Sequence, residues 1–323
     1  MPSSRVAFIW THATLPLPPW KLFIIEADYR IAARHPHYEV CAQSLGDAKK
    51  WFRQTFTWLK ILDAYEAPSD WKPAYPVKSS TGNIYITGDK HGDYASVSEF
   101  CFQFQTTKED LLIVLGDNGV NYFDESAMIK KQLESLPITF MMIRGNHDMR
   151  PSEDLGYRPK FVKTDTYSGM FLVQNDYPSL LFACDGGFYT LKGKEAFVIG
   201  GAYSPDKDWR LKMRQEGHLQ YRWFADEQLS KEERSTIRST LDDACQHQKT
   251  IDYLLTHSCP YKYKPVDMLS PNFNQAEIDE TMELWLDEIE ATVPYQKWYC
   301  GHWHIDRVIN KMCFMYHAIV PLD

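Results

Sequence analysis

Five short polar runs in this 323-residue chain hold the side-chain types that bind hard and borderline metal ions. They are Gly88-Asp89-Lys90-His91-Gly92-Asp93, Gly116-Asp117-Asn118, Arg144-Gly145-Asn146-His147-Asp148, the single His257, and Gly301-His302-Trp303-His304. Two carboxylates (Asp89, Asp117), four imidazoles (His91, His257, His302, His304) and one carboxamide (Asn146) form an N/O ligand set without thiolate. Such a set suits Mn, Fe or Zn rather than a structural zinc knot. Asp89-x-His91 and His302-x-His304 each put two side chains on one side of an extended turn, so one segment can serve one site. A carboxylate such as Asp117 can bridge two cations about 3.5–4 Å apart, the spacing of two-metal phosphoryl-transfer sites. Taken singly, each run has an ordinary reading: D-x-H is common, H-x-H occurs on solvated strands, and G-N-H-D can be a turn with Asn in the left-handed region. Their occurrence together and in order is what a purely structural account does not supply.

Each run follows an apolar stretch: IYIT, LLIVL, ITFMMI, IDYLLT and KWYC. In α/β sheets the carboxyl edge of the strands is where loops converge on a ligand. The pattern predicts strands at Asn83–Thr87, Leu111–Leu115, Ile138–Ile143, Ile251–Thr256 and Lys297–Cys300, and a closing strand in Lys311–Val320. Helices are expected at Tyr94–Phe104, Asp124–Leu136, Asp226–His247 and Gln275–Ala291. Between them, 170–202 reads as several short strands turning at Asp185-Gly186-Gly187 and Lys192-Gly193-Lys194. Alternating β and α segments around a β-rich middle imply sheets covered by helices.

The N-terminal 80 residues differ in character. Residues 1–43 are rich in aromatics and proline and show no clear period. From Asp47, Trp51, Phe52, Phe56, Leu59 and Leu62 recur at three- and four-residue steps behind a Ser44/Asp47 capping pair, which predicts an amphipathic helix over 47–65. The Pro-rich run 67–82 reads as a linker or extended arm. Two parts follow: an N-terminal extension, 1–80, and a catalytic domain, 81–323.

The formal charge is −8, split into +3 over residues 1–80 and −11 over the rest. This balance disfavours an extended nucleic-acid partner, which calls for a basic track. Seven scattered cysteines without a C-x-x-C pair suit reduced thiols. No apolar run reaches the ~20 residues that span a bilayer, and no clean cleavage pattern follows the N-terminal apolar runs. A soluble, cytoplasmic protein without a membrane partner is expected; composition is silent on oligomeric state.

The ordered motifs D-x-H, G-D, G-N-H-D, H and G-H-x-H resemble those of the calcineurin-like metallophosphoesterase superfamily over about residues 83–320, as in an uncharacterised bacterial or phage-type member. The resemblance implies an α/β fold, a two-sheet β-sandwich flanked by helices, here with an N-terminal helical extension. It implies that Asp89, His91 and His304 hold one metal, that Asn146, His257 and His302 hold a second, and that Asp117 bridges. The two divalent or mixed-valence ions would be Mn or Fe, or else Zn. It implies that His147 is not a ligand but faces the substrate. Relative to the Ser/Thr phosphatases of the superfamily, which carry G-D-x-V-D-R-G, the run Gly116–Asn121 lacks the second Asp and the Arg. Asp148 and Asp124 are then the candidates to orient His147. The segments Gly200–Lys207 and Trp223–Gln228 share a weaker likeness.

The implied activity is hydrolysis of phosphate esters, as phosphatase or phosphodiesterase. Hydroxide generated at the metals would attack phosphorus while His147 stabilises charge or protonates the leaving alkoxide. Arg144, Arg150, Lys207, Arg210 and Arg307 lie near the motifs and are candidates to contact phosphate, each with a solvated-surface reading beside it. A nuclease-type phosphodiesterase and a non-catalytic metal-binding scaffold are the alternatives.

Overall fold

The computed structural model describes residues 7–9, 21–28, 37–55, 60–68, 82–122, 127–268 and 278–322. Its contacts divide the chain into two units: Met1–Ser80 with Val97–Thr106, and Thr81–Ser96 with Thr107–Asp323.

In the first unit, β1 (Ala7–Ile9), β2 (Lys21–Asp28), β3 (His37–Ala42) and β4 (Lys60–Glu66) form an antiparallel sheet in the order β1-β3-β2-β4. Helix α1 (Leu45–Thr55) packs on it, burying Ala48 and Phe52. Ser44 accepts from the Asp47 amide and caps the helix start. The helix expected over 47–65 therefore ends at Thr55, and its last third is strand. Leu62, the final member of the helical period, is exposed, while Ala64 is buried. The physical reason is pairing: β2 buries Phe23, Ile24 and Ile25 in succession and sits between two partners, so Lys60–Glu66 is recruited as its second neighbour. Cross-strand hydrogen bonds and burial override a local period. Among its described residues the extension thus sets α1 beside a four-stranded sheet and is not a helical extension alone. Phe56, Trp58 and Leu59, and the Pro-rich run from 69 to 81, lie outside the described residues.

The second unit opens with β5 (Ile84–Thr87); after α2 (Ala95–Phe104), most of which is counted with the first unit, it continues with β6 (Leu111–Val114), α3 (Ala127–Ser135) and β7 (Thr139–Met142). Strands β8 (Arg158–Lys163), β9 (Tyr167–Val173), β10 (Leu180–Ala183), β11 (Phe188–Leu191) and β12 (Lys194–Ile199) follow. Then come α4 (Lys207–Gln215), α5 (Lys231–Gln246), β13 (Tyr253–Thr256), α6 (Thr281–Thr292), β14 (Lys297–Cys300), β15 (Arg307–Ile309), β16 (Met312–Phe314) and β17 (Val320–Pro321). The chain expected to close in one strand instead makes the β15–β16 hairpin and then crosses to pair β17 antiparallel with β5.

Thirteen strands join in one sheet, in the order β15-β16-β14-β13-β12-β11-β9-β10-β7-β6-β5-β17, with β8 on β9. One end, β5-β6-β7-β10, is parallel, and so is the other, β12-β13-β14-β16; antiparallel β9 and β11 connect them. The two layers of the expected sandwich are thus two halves of one curled sheet. The curl follows from a contact: His257, just past β13, lies 2.7 Å from the carbonyl of Leu115, just past β6. Every residue of β6, β7 and β13 is buried, as parallel strands covered on both faces require. Helices α5 and α6 cover the second half through Ile237, Leu241, Trp285, Leu286 and Ile289 against Phe197, Leu254 and Trp298. No helix among the described residues is long and apolar enough to cross a membrane.

Candidate metal centre

The turns that leave β5, β6 and β14 carry His91, Asp117, His302 and His304, all with positive φ (45°, 45°, 67° and 49°). A left-handed backbone costs a non-glycine residue about 1–2 kcal/mol, and such strain collects at functional sites. The turns are also crowded. A Cβ on Gly116 (φ +97°) would sit 2.0 Å from His257 Nδ1, and one on Gly145 2.1 Å from Asp117 Oδ1. Glycine is required at both because the site residues pack directly on the backbone.

Two groups of donor atoms result. In the first, His91 Nε2 and His304 Nε2 are 3.0 Å apart, and His304 Nε2 is 3.1 Å from Asp89 Oδ2. The second brings Asp89, Asp117 and His257 together, with His257 Nε2 3.5 Å from Asp117 Oδ1 and 2.8 Å from Asn146 Oδ1. Asp117 faces both groups, since its other oxygen, Oδ2, is 3.8 Å from His91 Nε2. Asp89 approaches His257 at Nδ1, at 3.9 Å. His302 packs its ring edge-on against His257, centroids 5.0 Å apart, and its amide donates to both Asp89 oxygens at 3.0 Å. Its ring nitrogens are in neither donor-atom group.

The second group consists of acceptors alone once Asp117 is ionised. A carbonyl only accepts, so the contact with Leu115 places the His257 proton on Nδ1 and leaves a lone pair on Nε2. Burial holds His257 below its ordinary pKa and therefore neutral. That lone pair meets the Asn146 carboxamide oxygen and an Asp117 carboxylate oxygen. Three acceptors converging in a buried place are satisfied by a cation. Charge leads to the same conclusion. Burial, and then the negative charges of Asp89 and Asp148, push the Asp117 carboxyl well above its usual range. Burial also opposes ionisation of Asp89, but the His304 hydrogen bond and the surrounding imidazoles hold it ionised. The donor set fits two cations.

His147 sits at the rim. Its amide donates to Asp117 Oδ1 at 2.8 Å. Its Nε2 faces two donors, Asn146 Nδ2 at 3.2 Å and Arg210 Nη2 at 3.3 Å, so Nε2 carries the lone pair and Nδ1 the proton. Burial, and next the Arg210 charge, push its pKa down to about 2. Its buried Nδ1 has no hydrogen-bond partner among the described residues. Asp148 therefore does not orient His147: its carboxylate accepts from Asn118 N and Nδ2, Gly119 N and Gly145 N, tying the loops after β6 and β7 together. Asp124 lies outside the described residues.

Of the five basic candidates, only Arg210 reaches the site, held by Asp206 at 2.8 Å and Tyr122 Oη at 3.0 Å. Arg144 is buried against Asp185 and the Glu227 carbonyl, Arg150 pairs with Asp226 and Glu233, and Arg307 makes a two-pronged pair with Asp267. Lys207 lies over the Trp223 ring, 4.4 Å from its centroid. A sixth loop also arrives at this edge, after β12, from the Gly200–Lys207 segment, whose weaker likeness assigned its residues no role. Ser204 accepts from Asn146 Nδ2 at 2.8 Å and is itself bound to Glu227. The available signal was the form of AFVIGG: an apolar strand followed by glycines, as at the other loops but without a histidine.

The profile of the family described as calcineurin-like phosphoesterase matches residues 82–306, a span containing His147 and all seven ligand candidates. No curated protein matches the chain.

Proposed function

The chain belongs to the calcineurin-like phosphoesterase family, an enzyme family of metal-dependent phosphoester hydrolases, and from that premise we propose a dinuclear centre acting on phosphate esters. Asp89, His91 and His304 hold one cation, Asn146, His257 and His302 the other, and Asp117 gives one oxygen to each side. When bound, the cations, Mn, Fe or Zn, supply Lewis acidity to phosphate oxygens and make water acidic enough to act as a nucleophile at neutral pH.

The remaining work falls to the chain's own residues. Arg210, pre-held by Asp206 and Tyr122, presents its guanidinium beside His147 and binds a non-bridging phosphate oxygen. His147 turns its Nε2 lone pair to the same place, where it would take a proton from the attacking water and pass it to the leaving alkoxide oxygen. The −11 charge outside the first 80 residues disfavours a long nucleic-acid substrate, so a small phosphate ester in a cytoplasmic, membrane-free setting is the reading.

The observation that carries this proposal is the buried convergence of His257 Nε2, Asn146 Oδ1 and Asp117 Oδ1, all three acceptors once Asp117 is ionised. The test is a matrix of Mn, Fe, Zn and Mg against phosphopeptides, nucleotides, cyclic nucleotides and a generic diester, with metal content measured on each preparation. His147→Ala should lower kcat by about 10²–10⁴-fold while two metals per chain remain. A wild-type protein that takes up neither metal and hydrolyses nothing would sink the proposal.

A further inference from the structure

We propose that Ser204 and Glu227 are positioning residues that decide which atom of the Asn146 carboxamide faces the second cation, an inference resting on the dinuclear reading above. Asn146, Ser204 and Glu227 are 1%, 0% and 3% exposed, so each polar atom among them must be satisfied from within the protein. Glu227 uses both oxygens as acceptors, Oε1 for the Ser204 amide at 3.0 Å and Oε2 for the Ser204 hydroxyl. With its proton committed to Glu227, the Ser204 oxygen can only accept on its other side, and it accepts from Asn146 Nδ2 at 2.8 Å. The amide nitrogen is thereby pinned toward Ser204 by the shorter of its two contacts, the other being to His147 Nε2 at 3.2 Å. The carboxamide oxygen must point the other way, to within 2.8 Å of His257 Nε2.

This orientation works against the metal-free energetics. The Asn146 oxygen confronts an imidazole lone pair, an acceptor against an acceptor. A half-turn of the amide would give Nδ2–H to His257 Nε2 and convert repulsion into a hydrogen bond. It would also present two N–H groups where a cation needs an oxygen. The Glu227–Ser204 pair opposes that turn and keeps the site ready for metal. Supporting groups of this kind typically change metal affinity by about 10–100-fold.

The experiment measures Mn2+ binding by calorimetry and metal analysis, with electron paramagnetic resonance reporting spin-coupled ion pairs. The proteins are the full chain, Ser204→Ala, Glu227→Gln, Asn146→Asp and the double variant Ser204→Ala/Asn146→Asp. Ser204→Ala and the isosteric Glu227→Gln should each weaken one of the two Mn2+ sites about 10–100-fold, leave the other unchanged, and abolish the spin-coupled signal. Asn146→Asp shows oxygen on both sides of the group, so adding Ser204→Ala to it should change Mn2+ affinity less than twofold. General loosening of the loop would weaken binding as much in that background as in the wild type. Wild-type Mn2+ affinity in both single variants, or an equal loss with Asp at 146, overturns the positioning role. Fewer than two Mn2+ in the unmutated chain overturns the dinuclear reading and this inference with it.

Discussion

Arg210 and Arg307 are both basic candidates from the sequence, yet only one has its charge turned into the site, and this gives a clean comparison at the scale of single residues. Arg307 is neutralised by two contacts with Asp267, at 3.0 and 2.8 Å, on a partly exposed surface. Arg210→Ala should lower kcat/KM about a hundredfold, the usual size for losing one preorganised donor, with metal content unchanged. Arg307→Ala should leave kcat/KM within about twofold, because an exposed ion pair contributes little. Steady-state kinetics on the best substrate of the matrix checks both. Gly145 makes a different claim. An added methyl would lie 2.1 Å from both the Asp117 amide and its Oδ1, neither the far end of a flexible chain. Gly145→Ala should therefore destabilise by about 1–3 kcal/mol and displace Asp117, so that denaturant melts and metal stoichiometry fall together. Normal metal content in a folded Gly145→Ala protein would contradict the crowding argument.

Between residue and molecule stand the elements that aim these groups, and Asp148 shows how two of them are locked. Its carboxylate takes four N–H donors from the loops after β6 and β7, all at 2.9–3.1 Å. Asp148→Asn replaces one acceptor with a donor in a buried network and should cost about 2–4 kcal/mol in urea melts. Helix α3 carries a contrary case. Lys130 is a mostly buried lysine, its ammonium 5.3 Å from the centroid of the Tyr157 ring, and burial lowers its pKa to about 8. Between about 10.4 and 8 the unfolded chain binds a proton that the folded chain refuses, so stability falls as pH drops through that window. Lys130→Met should raise the melting temperature at pH 7 and flatten the pH dependence between 8 and 10; a lower melting temperature would show that the ammonium has a stabilising partner.

The same elements explain what could be read from residue order. Strands β6, β7, β13 and β14 were legible because parallel strands buried on both faces spell unbroken apolar runs, each ending at a motif. The first sheet was not: β4 carries a helical period up to Leu62, and only its pairing with β2 makes it a strand. The ligand candidates were legible as ordered motifs. For Ser204 and Glu227 only the weaker likeness of their segments was legible, not their role, because they reach Asn146 through hydrogen bonds spanning 58 and 23 positions, and neither sits in a metal-binding pattern. Which arginine faces the site likewise depends on where α4 lies after β12.

For the molecule as a whole, an acidic chain that binds phosphate esters requires its cations to reverse the local sign of charge, and the stability of the metal-free protein should record their absence. Burial, with Arg210 next, holds His147 down to about 2, and burial, with His257 next, holds His302 down to about 3. His257 and His91 are lowered as well, while the Asp89 contact raises His304 against the pull of burial. A histidine with a depressed folded pKa stays neutral while its unfolded counterpart takes up a proton near pH 6.5. The unfolded state then binds more protons, and stability falls as pH drops below about 6.5 until the folded pKa is reached. Four lowered imidazoles outweigh one raised, so the chelated protein should lose melting temperature steadily from pH 7 to pH 5. Metals bind only the deprotonated ligands of the folded state and add about 2.7 kcal/mol at a hundredfold excess over Kd. Protons compete with the metals in the folded chain chiefly at His304 and Asp117, the two raised ligands, so that increment should shrink as the solution is acidified and melts with Mn2+ and with chelator should draw together. If the two curves stay parallel across that range, His304 and Asp117 do not hold the metals.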